Sequence, residues 1–190
     1  DPENTTILQL ISKRTNIGNA RVFGFESLLE WDILRTFELK NKDFSLQIFS
    51  NFAWLDGRYL ESENSFASGK KLEYVSPLTL KTGINFSWKK LKFNYQYSYT
   101  AAHYSDATNS QSSPNAVVGI IPTYFVMDAS LSYGFKWFRL QFGVNNILNE
   151  MYYTRRAASY PGPGILPADG RNFYIGLRTE LKIKDKKAYY

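Results

Sequence analysis

The sequence predicts an all-β protein, an antiparallel transmembrane β-barrel to which it contributes about eight strands. Apolar and polar residues alternate with period two over long stretches, aromatic residues are in excess, and tight turns take turns with long loops. Each observation is weak alone; together they point to strands lying between a greasy medium and a wet one.

Alternation is clearest from Phe44, where Phe44, Leu46, Ile48, Phe52 and Trp54 are interleaved with Ser45, Gln47, Asn51 and Ala53. Leu91, Phe93, Tyr95, Tyr97 and Tyr99 repeat the pattern against Lys92, Asn94, Gln96, Ser98 and Thr100. Further strands read as Ala20 to Phe37, Leu78 to Trp88, Thr123 to Phe135, Trp137 to Asn145 and Asn172 to Leu181, with a weaker one near Thr6 to Ser12. No helix is expected. On the first long strand Glu26, Glu30 and Asp32 share a face opposite Phe23, Phe25, Leu29 and Trp31, which puts the acids toward a polar lumen, within reach of Arg178 or of a domain filling the barrel.

Connections at Lys40 to Asp43, Trp88 to Leu91 and Gly134 to Trp137 are short, whereas those at Glu61 to Glu73, Ser105 to Ile120 and Glu150 to Arg171 are long. Short periplasmic turns and long extracellular loops are the layout of a bacterial outer-membrane barrel. A soluble sandwich shows the same alternation, but its strands average about five or six residues, and several here reach the roughly nine to eleven that a tilted strand needs to cross a bilayer.

Composition narrows the function classes. Tyr and Phe contribute 14 residues each and Trp four, a supply suited to strands and to interfacial girdles. No apolar run approaches the roughly 18 residues of a membrane-spanning helix. Cys is absent and there is one His, so disulfides, thiolate metal sites and a nucleophile–base pair are not expected, nor is a cofactor or an enzymatic activity. The net charge of +6 is spread over turn-like lysines such as Lys89 and Lys90, not gathered on one face, which argues against nucleic acid.

Several segments carry a likeness to a known family. The run Asn16-Ile17-Gly18-Asn19-Ala20-Arg21-Val22-Phe23-Gly24-Phe25-Glu26 resembles the Asn-x-Gly-x-Ala-x-x-x-Gly-x-Glu opening of a late strand in the TonB-dependent outer-membrane receptors. Asp128 to Tyr133 and Phe142-Gly143-Val144-Asn145-Asn146-Ile147-Leu148-Asn149-Glu150-Met151-Tyr152 resemble that family's last hairpin, with its Asn-Leu-Phe-Asp/Asn-x-x-Tyr signature. Tyr160 to Gly164 and Gly170 to Leu177 resemble the approach to its final strand, in the manner of ferric-citrate and ferric-siderophore receptors. The chain departs from the pattern by continuing past Leu181 to Tyr190.

This resemblance implies that residues 1 to 190 are the C-terminal part of a barrel of about 22 strands, with the N-terminal plug domain absent from the sequence. It implies an outer-membrane receptor that binds a scarce nutrient, most often an iron chelate, and imports it through TonB acting on the plug. The implied partners are outer-membrane lipid and lipopolysaccharide, the plug, the TonB complex and the chelate.

Ligand-binding residues are expected in the long loops. Arg155 and Arg156, beside Tyr152 and Tyr153, are guanidiniums suited to gripping the carboxylates of an anionic chelate, or else a solvated or lipopolysaccharide-facing pair. His103 and Tyr104 precede the loop that holds Asp106 and are placed to touch a chelate, although one imidazole is too few for a metal site. The Pro161-Gly162-Pro163-Gly164 run is loop punctuation. Two other readings remain open, a complete eight-stranded structural or adhesive outer-membrane protein and a soluble secreted β-domain.

Overall fold

Why the long strands stay together follows from their two faces: each has too little apolar surface for a soluble core and too much for open water. In the computed structural model, which describes residues 18–39, 43–62, 65–159 and 163–179, they form one antiparallel sheet of seven. Its strands are β1 (Gly18–Asp32), β2 (Phe44–Ser62), β3 (Leu78–Trp88), β4 (Leu91–Thr100), β7 (Tyr124–Gly134), β8 (Phe138–Asn145) and β11 (Asn172–Thr179). They lie side by side in chain order, and β1 and β11 are its two edges. Two short hairpins sit between them in the long loops, β5 (His103–Tyr104) with β6 (Ile120–Ile121), and β9 (Tyr153–Ala157) with β10 (Gly164–Pro167).

Register sorts the side chains into two faces, with few exceptions such as Phe49 on the polar face and Ser50 and Thr82 on the apolar one. One row runs Leu46, Phe86, Phe93, Leu131, Phe142 and Ile175; the adjacent row on the other face runs Gln47, Asn85, Asn94, Ser130, Gly143 and Tyr174. On the polar face the Asn94 amide donates to Asn85 Oδ1, Gln96 Nε2 donates to Ser98 Oγ at 3.0 Å, and a hollow of about 370 Å³ is lined by Ser45, Gln47, Lys92 and Ser132. Leu131, Phe142 and Ile175 are 44, 47 and 76% exposed, whereas the buried apolar residues among those described are only Leu34, Tyr59, Ala67 and Ile121. The hydrophobic surface therefore faces outward, which is stable in lipid and not in water.

Two glycines on the polar face mark close approaches. Tyr174 stands directly opposite Gly143 and lays its ring where a Cβ would be, and the Phe49 ring covers Gly83 in the same way. Cross-strand aromatics thus shield strand glycines that leave no side chain to pack.

Two sequence expectations change. The first strand stops at Asp32, and residues Ile33–Thr36 form a single helical turn, α1. The Asp32 carboxylate caps it by accepting from the Arg35 N–H at 3.1 Å, while Trp31 Nε1 donates to Thr36 Oγ1 at 2.8 Å; local capping ends the strand at Asp32 although β2 continues beside it through Leu46, Ser45 and Phe44. The second strand runs to Ser62, close to the expected loop start at Glu61, and pairs with β1 as a ribbon that outreaches β3. Arg178 faces Arg139 on the edge strand opposite β1, so no contact joins it to Glu26 or Glu30 among the described residues. The short turn at Lys40 to Asp43 and the expected strand near Thr6 lie wholly or partly outside the described residues, as does the chain beyond Thr179. Among the described residues no helix is long and apolar enough to cross a membrane.

The facing of β4 is directly testable. Spin labels at 93, 95 and 97 should report oxygen accessibility, and labels at 94, 96 and 98 water accessibility, with strict alternation in lipid. Uniform behaviour along the strand would remove the assignment of faces.

Candidate functional site

At the end of the sheet away from the tight turns, the described parts of three long connections converge: residues 65–77, 101–123, and 146–159 with 163–171. The turn of the third is built on Asn146, which is buried at 3% exposure with φ +52°. Its backbone N–H donates to Asp128 Oδ1 at 2.9 Å and its Oδ1 accepts from the Glu150 N–H at 2.8 Å. Its amide donates to the carbonyls of Glu150 and Asp169 at 2.9 and 3.2 Å. Asparagine is one of the few residues whose short side chain makes a left-handed turn affordable while satisfying the backbone around it.

That turn delivers Tyr152 onto Tyr124, ring centroids 4.6 Å apart and nearly parallel. The stack borders a hollow of about 550 Å³ lined by Asp128, Asn145, Tyr152, Thr154, Asp169 and Asn172. Asp128 lies on the polar face of β7, in register with Gln96, so the hollow opens toward the lumen. Burial, then Tyr124, Asp128 and Asp169, push the Tyr152 phenol above its ordinary pKa, so it remains a neutral hydrogen-bond donor at physiological pH.

Arg155 and Arg156 part company on β9, because neighbouring residues of a strand face opposite ways. The Arg156 guanidinium donates to the carbonyls of Ala116 (2.7 Å) and Ile120 (2.8 Å) and to the Tyr153 hydroxyl (2.9 Å), and lies 5.2 Å from the centre of the Tyr153 ring. Its Nε is buried without a hydrogen-bond partner. Arg155 is exposed, with no hydrogen-bond or ion-pair partner among the described residues. The structure does not bring the two guanidiniums together as one clamp.

The remaining expected residues stitch loops together. Tyr153 donates its hydroxyl to the Ile120 carbonyl at 3.2 Å, and the Tyr104 carbonyl accepts from the Tyr74 N–H at 2.8 Å. His103 is buried at 9% exposure, its Nδ1 3.1 Å from the Ala101 carbonyl. Asp106 folds its carboxylate back on its own turn, accepting from the N–H groups of Thr108 and Ser110. No group of acids and histidine able to hold a metal occurs among the described residues.

Sequence reasoning missed two of the organising residues. Asn109 clamps the first two loops by accepting from the Lys71 N–H and donating to the Lys71 carbonyl, both at 2.8 Å, as a strand would. Tyr74 reaches the third loop by donating to the Arg156 carbonyl at 3.4 Å. No pattern marks either residue. Asn146 was visible inside the Asn-Asn-Ile-Leu-Asn run, but the likeness of that run to a family signature concealed its physical task.

This wall, with its polar face and stitched outer loops, has known counterparts. A family model described as TonB dependent receptor-like, beta-barrel matches residues 1–147. The chain belongs to that family. Its place is the outer membrane, and the apolar face described above meets lipid. Solved structures with the same fold include the ferric citrate transporter FecA in its unliganded form, at TM-score 0.72 and 22% identity over 84% of this chain and 24% of that one. The siderophore receptor PiuA from Acinetobacter baumannii follows at TM-score 0.65, 20% identity, and 86% and 22% coverage. The ferric yersiniabactin uptake receptor FyuA from Yersinia pestis follows at 0.66, 18%, and 88% and 24%. The chain thus spans about a quarter of the length of the solved receptors it resembles. No curated protein matches the sequence. Membership in a family of outer-membrane barrels sets aside the soluble-domain reading.

Proposed function

We propose that in the intact receptor residues 1 to 190 form wall and outer loops of a barrel whose plug lies elsewhere in the protein, and that the receptor binds a ferric chelate, a siderophore or citrate, for import powered through TonB. The observation that supports this reading is the lumen-facing hollow beneath the stitched loops. Its volume of about 550 Å³ lies within the roughly 300–1,000 Å³ of small-molecule sites. Neutral phenol, amide and hydroxyl groups from Tyr152, Asn145, Asn172 and Thr154 line it beside the carboxylates of Asp128 and Asp169; the neutral groups suit the oxygen-rich periphery of a chelate, and the two acids turn its anionic groups away from the hollow, toward Arg155. The reading assigns no catalytic step and no resident cofactor.

Within it the six expected residues divide. Tyr152 touches cargo directly, and Arg155 supplies the exposed guanidinium for an anionic group. Arg156, Tyr153, Tyr104 and His103 act through the loops that they hold in place.

Arg155→Gln in the full-length receptor should weaken binding of ferric citrate or an anionic ferric siderophore about tenfold, the scale of one charge-assisted hydrogen bond. Raising salt should weaken the wild type more than the variant, since exposed charges are screened over about 8 Å at physiological ionic strength. Equal affinity and equal salt response would remove Arg155 from the site. Failure of the wild type to bind any ferric chelate would overturn the reading itself.

A further inference from the structure

The lipid-facing side of the β1–β2 ribbon changes character abruptly toward its outer end. Phe25 packs on Phe52 and Phe23 packs edge-on against Trp54, ring centroids 6.3 and 5.8 Å apart, so these aromatics share the outward face. The next side chain on that face is Asp56, whose carboxylate accepts from Arg58 Nε at 3.0 Å. Arg58 stands directly opposite Arg21 on one side and pairs with Lys71 on the other. Leu72 packs over Gly57 on the inner face, which leaves Lys71 on the outer one. Arg21, Arg58 and Lys71 therefore make one row of three cations across three adjacent segments, with no acid in the row.

Like charges directly opposite in a sheet are destabilising unless something neutralises them. Asp56 engages only Nε of Arg58, and Arg21 has no ion-pair partner among the described residues. At about 3.3 Å per residue the row lies about 13 Å along the strand beyond Trp54. With strands tilted about 40° that is about 10 Å above the aromatic girdle, past the hydrocarbon and in the headgroup layer. The row faces away from the lumen, so neither plug nor cargo can reach it.

We propose that Arg21, Arg58 and Lys71 bind the phosphate groups of the outer-leaflet glycolipid, lipopolysaccharide. Guanidiniums grip phosphate oxygens through paired N–H donors and lysine adds a point charge, while the glycolipid's acyl chains lie against Phe23, Phe25 and Trp54 below. The anion neutralises the cross-strand arginine pair, and the ribbon gains a fixed neighbour in the membrane. Lipid recognition is separate from import, so this site stands whatever the cargo.

The experiment uses the full-length receptor in detergent, titrated with rough lipopolysaccharide and with the same glycolipid after enzymatic dephosphorylation. Arg21→Gln/Arg58→Gln should bind lipopolysaccharide at least tenfold more weakly than wild type, and dephosphorylated glycolipid should bind the wild type as weakly as lipopolysaccharide binds the variant. Lys81→Gln, a charge change on the lumen face, should leave the affinity unchanged. Heat-modifiable gel mobility, which reports the folded barrel, should be the same in all three proteins. Equal binding by wild type and double variant, or equal binding of both glycolipids, would overturn the proposal. Competition by millimolar inorganic phosphate would also overturn it, by showing a free-anion site in place of a lipid site.

Discussion

Leu46→Arg or Ile48→Arg should block assembly into the membrane. Leu46 sits opposite Phe86, in the row that continues through Phe93 and Leu131, and Ile48 is flanked by Trp31 and Ile84. Both therefore face hydrocarbon in the interior of the sheet, where a cation costs about 2–4 kcal/mol near the bilayer midplane and about 0–1 near the interfaces. Gln47→Arg supplies the internal control, because it puts the same cation between them on the polar face beside Ser45 and Asn85, where a change within about 0.5 kcal/mol is expected. Folding yield into lipid vesicles, read by heat-modifiable mobility, should collapse for the first two and hold for the third. Similar yields for all three would reverse or abolish the assignment of faces.

Asn146→Ala should be the most damaging single change outside the membrane-facing rows. Alanine keeps the backbone N–H that reaches Asp128 but strips the partners of the Glu150 N–H, the Glu150 carbonyl and the Asp169 carbonyl. It also leaves a β-carbon at φ +52° with no side-chain bond to offset the left-handed conformation. An unsatisfied backbone group costs about 1–3 kcal/mol where water cannot reach it, and the left-handed conformation about 1 kcal/mol; because Glu150 is half-buried and Asp169 exposed, water replaces part of the lost bonding and a net loss of about 2–4 kcal/mol is expected. Asn146→Gly isolates the contributions, since it removes the bonds and relieves the backbone, and it should fall between wild type and alanine. Denaturant unfolding of the intact receptor in detergent measures the loss, and proteolysis of the loop at 150–171 should accelerate in parallel. An alanine variant within about 0.5 kcal/mol of wild type would show that the turn is held by its neighbours instead.

These two predictions rest on different kinds of information. The facing of Leu46 is written locally: a strand has period two, so a row of apolar residues needs no partner to declare which side it occupies. The task of Asn146 is not local, because Asp128 and Asp169 are brought to it by β7 and by the far end of the third loop. The same division explains the arginines. Adjacent Arg155 and Arg156 look like a clamp in sequence, yet strand geometry turns them to opposite sides and the carbonyls of Ala116 and Ile120 claim Arg156. Only the pairing of the loops could reveal that, since hydrogen-bond acceptors on the backbone leave no mark in the residue types.

The sequence by itself determined the antiparallel strands, their two faces, the alternation of short turns and long loops, and the family likeness. All of these follow from periodicity and from turn chemistry, which act over a few residues. The tertiary structure alone decided that Asp32 leaves the lumen-facing row to cap α1, that β2 outreaches β3, and that the three outer loops are bound together through Asn109, Tyr74 and Arg156. It also decided that Arg21, Arg58 and Lys71 meet in one row. Each of these depends on which segments the sheet register sets side by side, and a register is fixed by the summed pairing of whole strands, not by any residue in it.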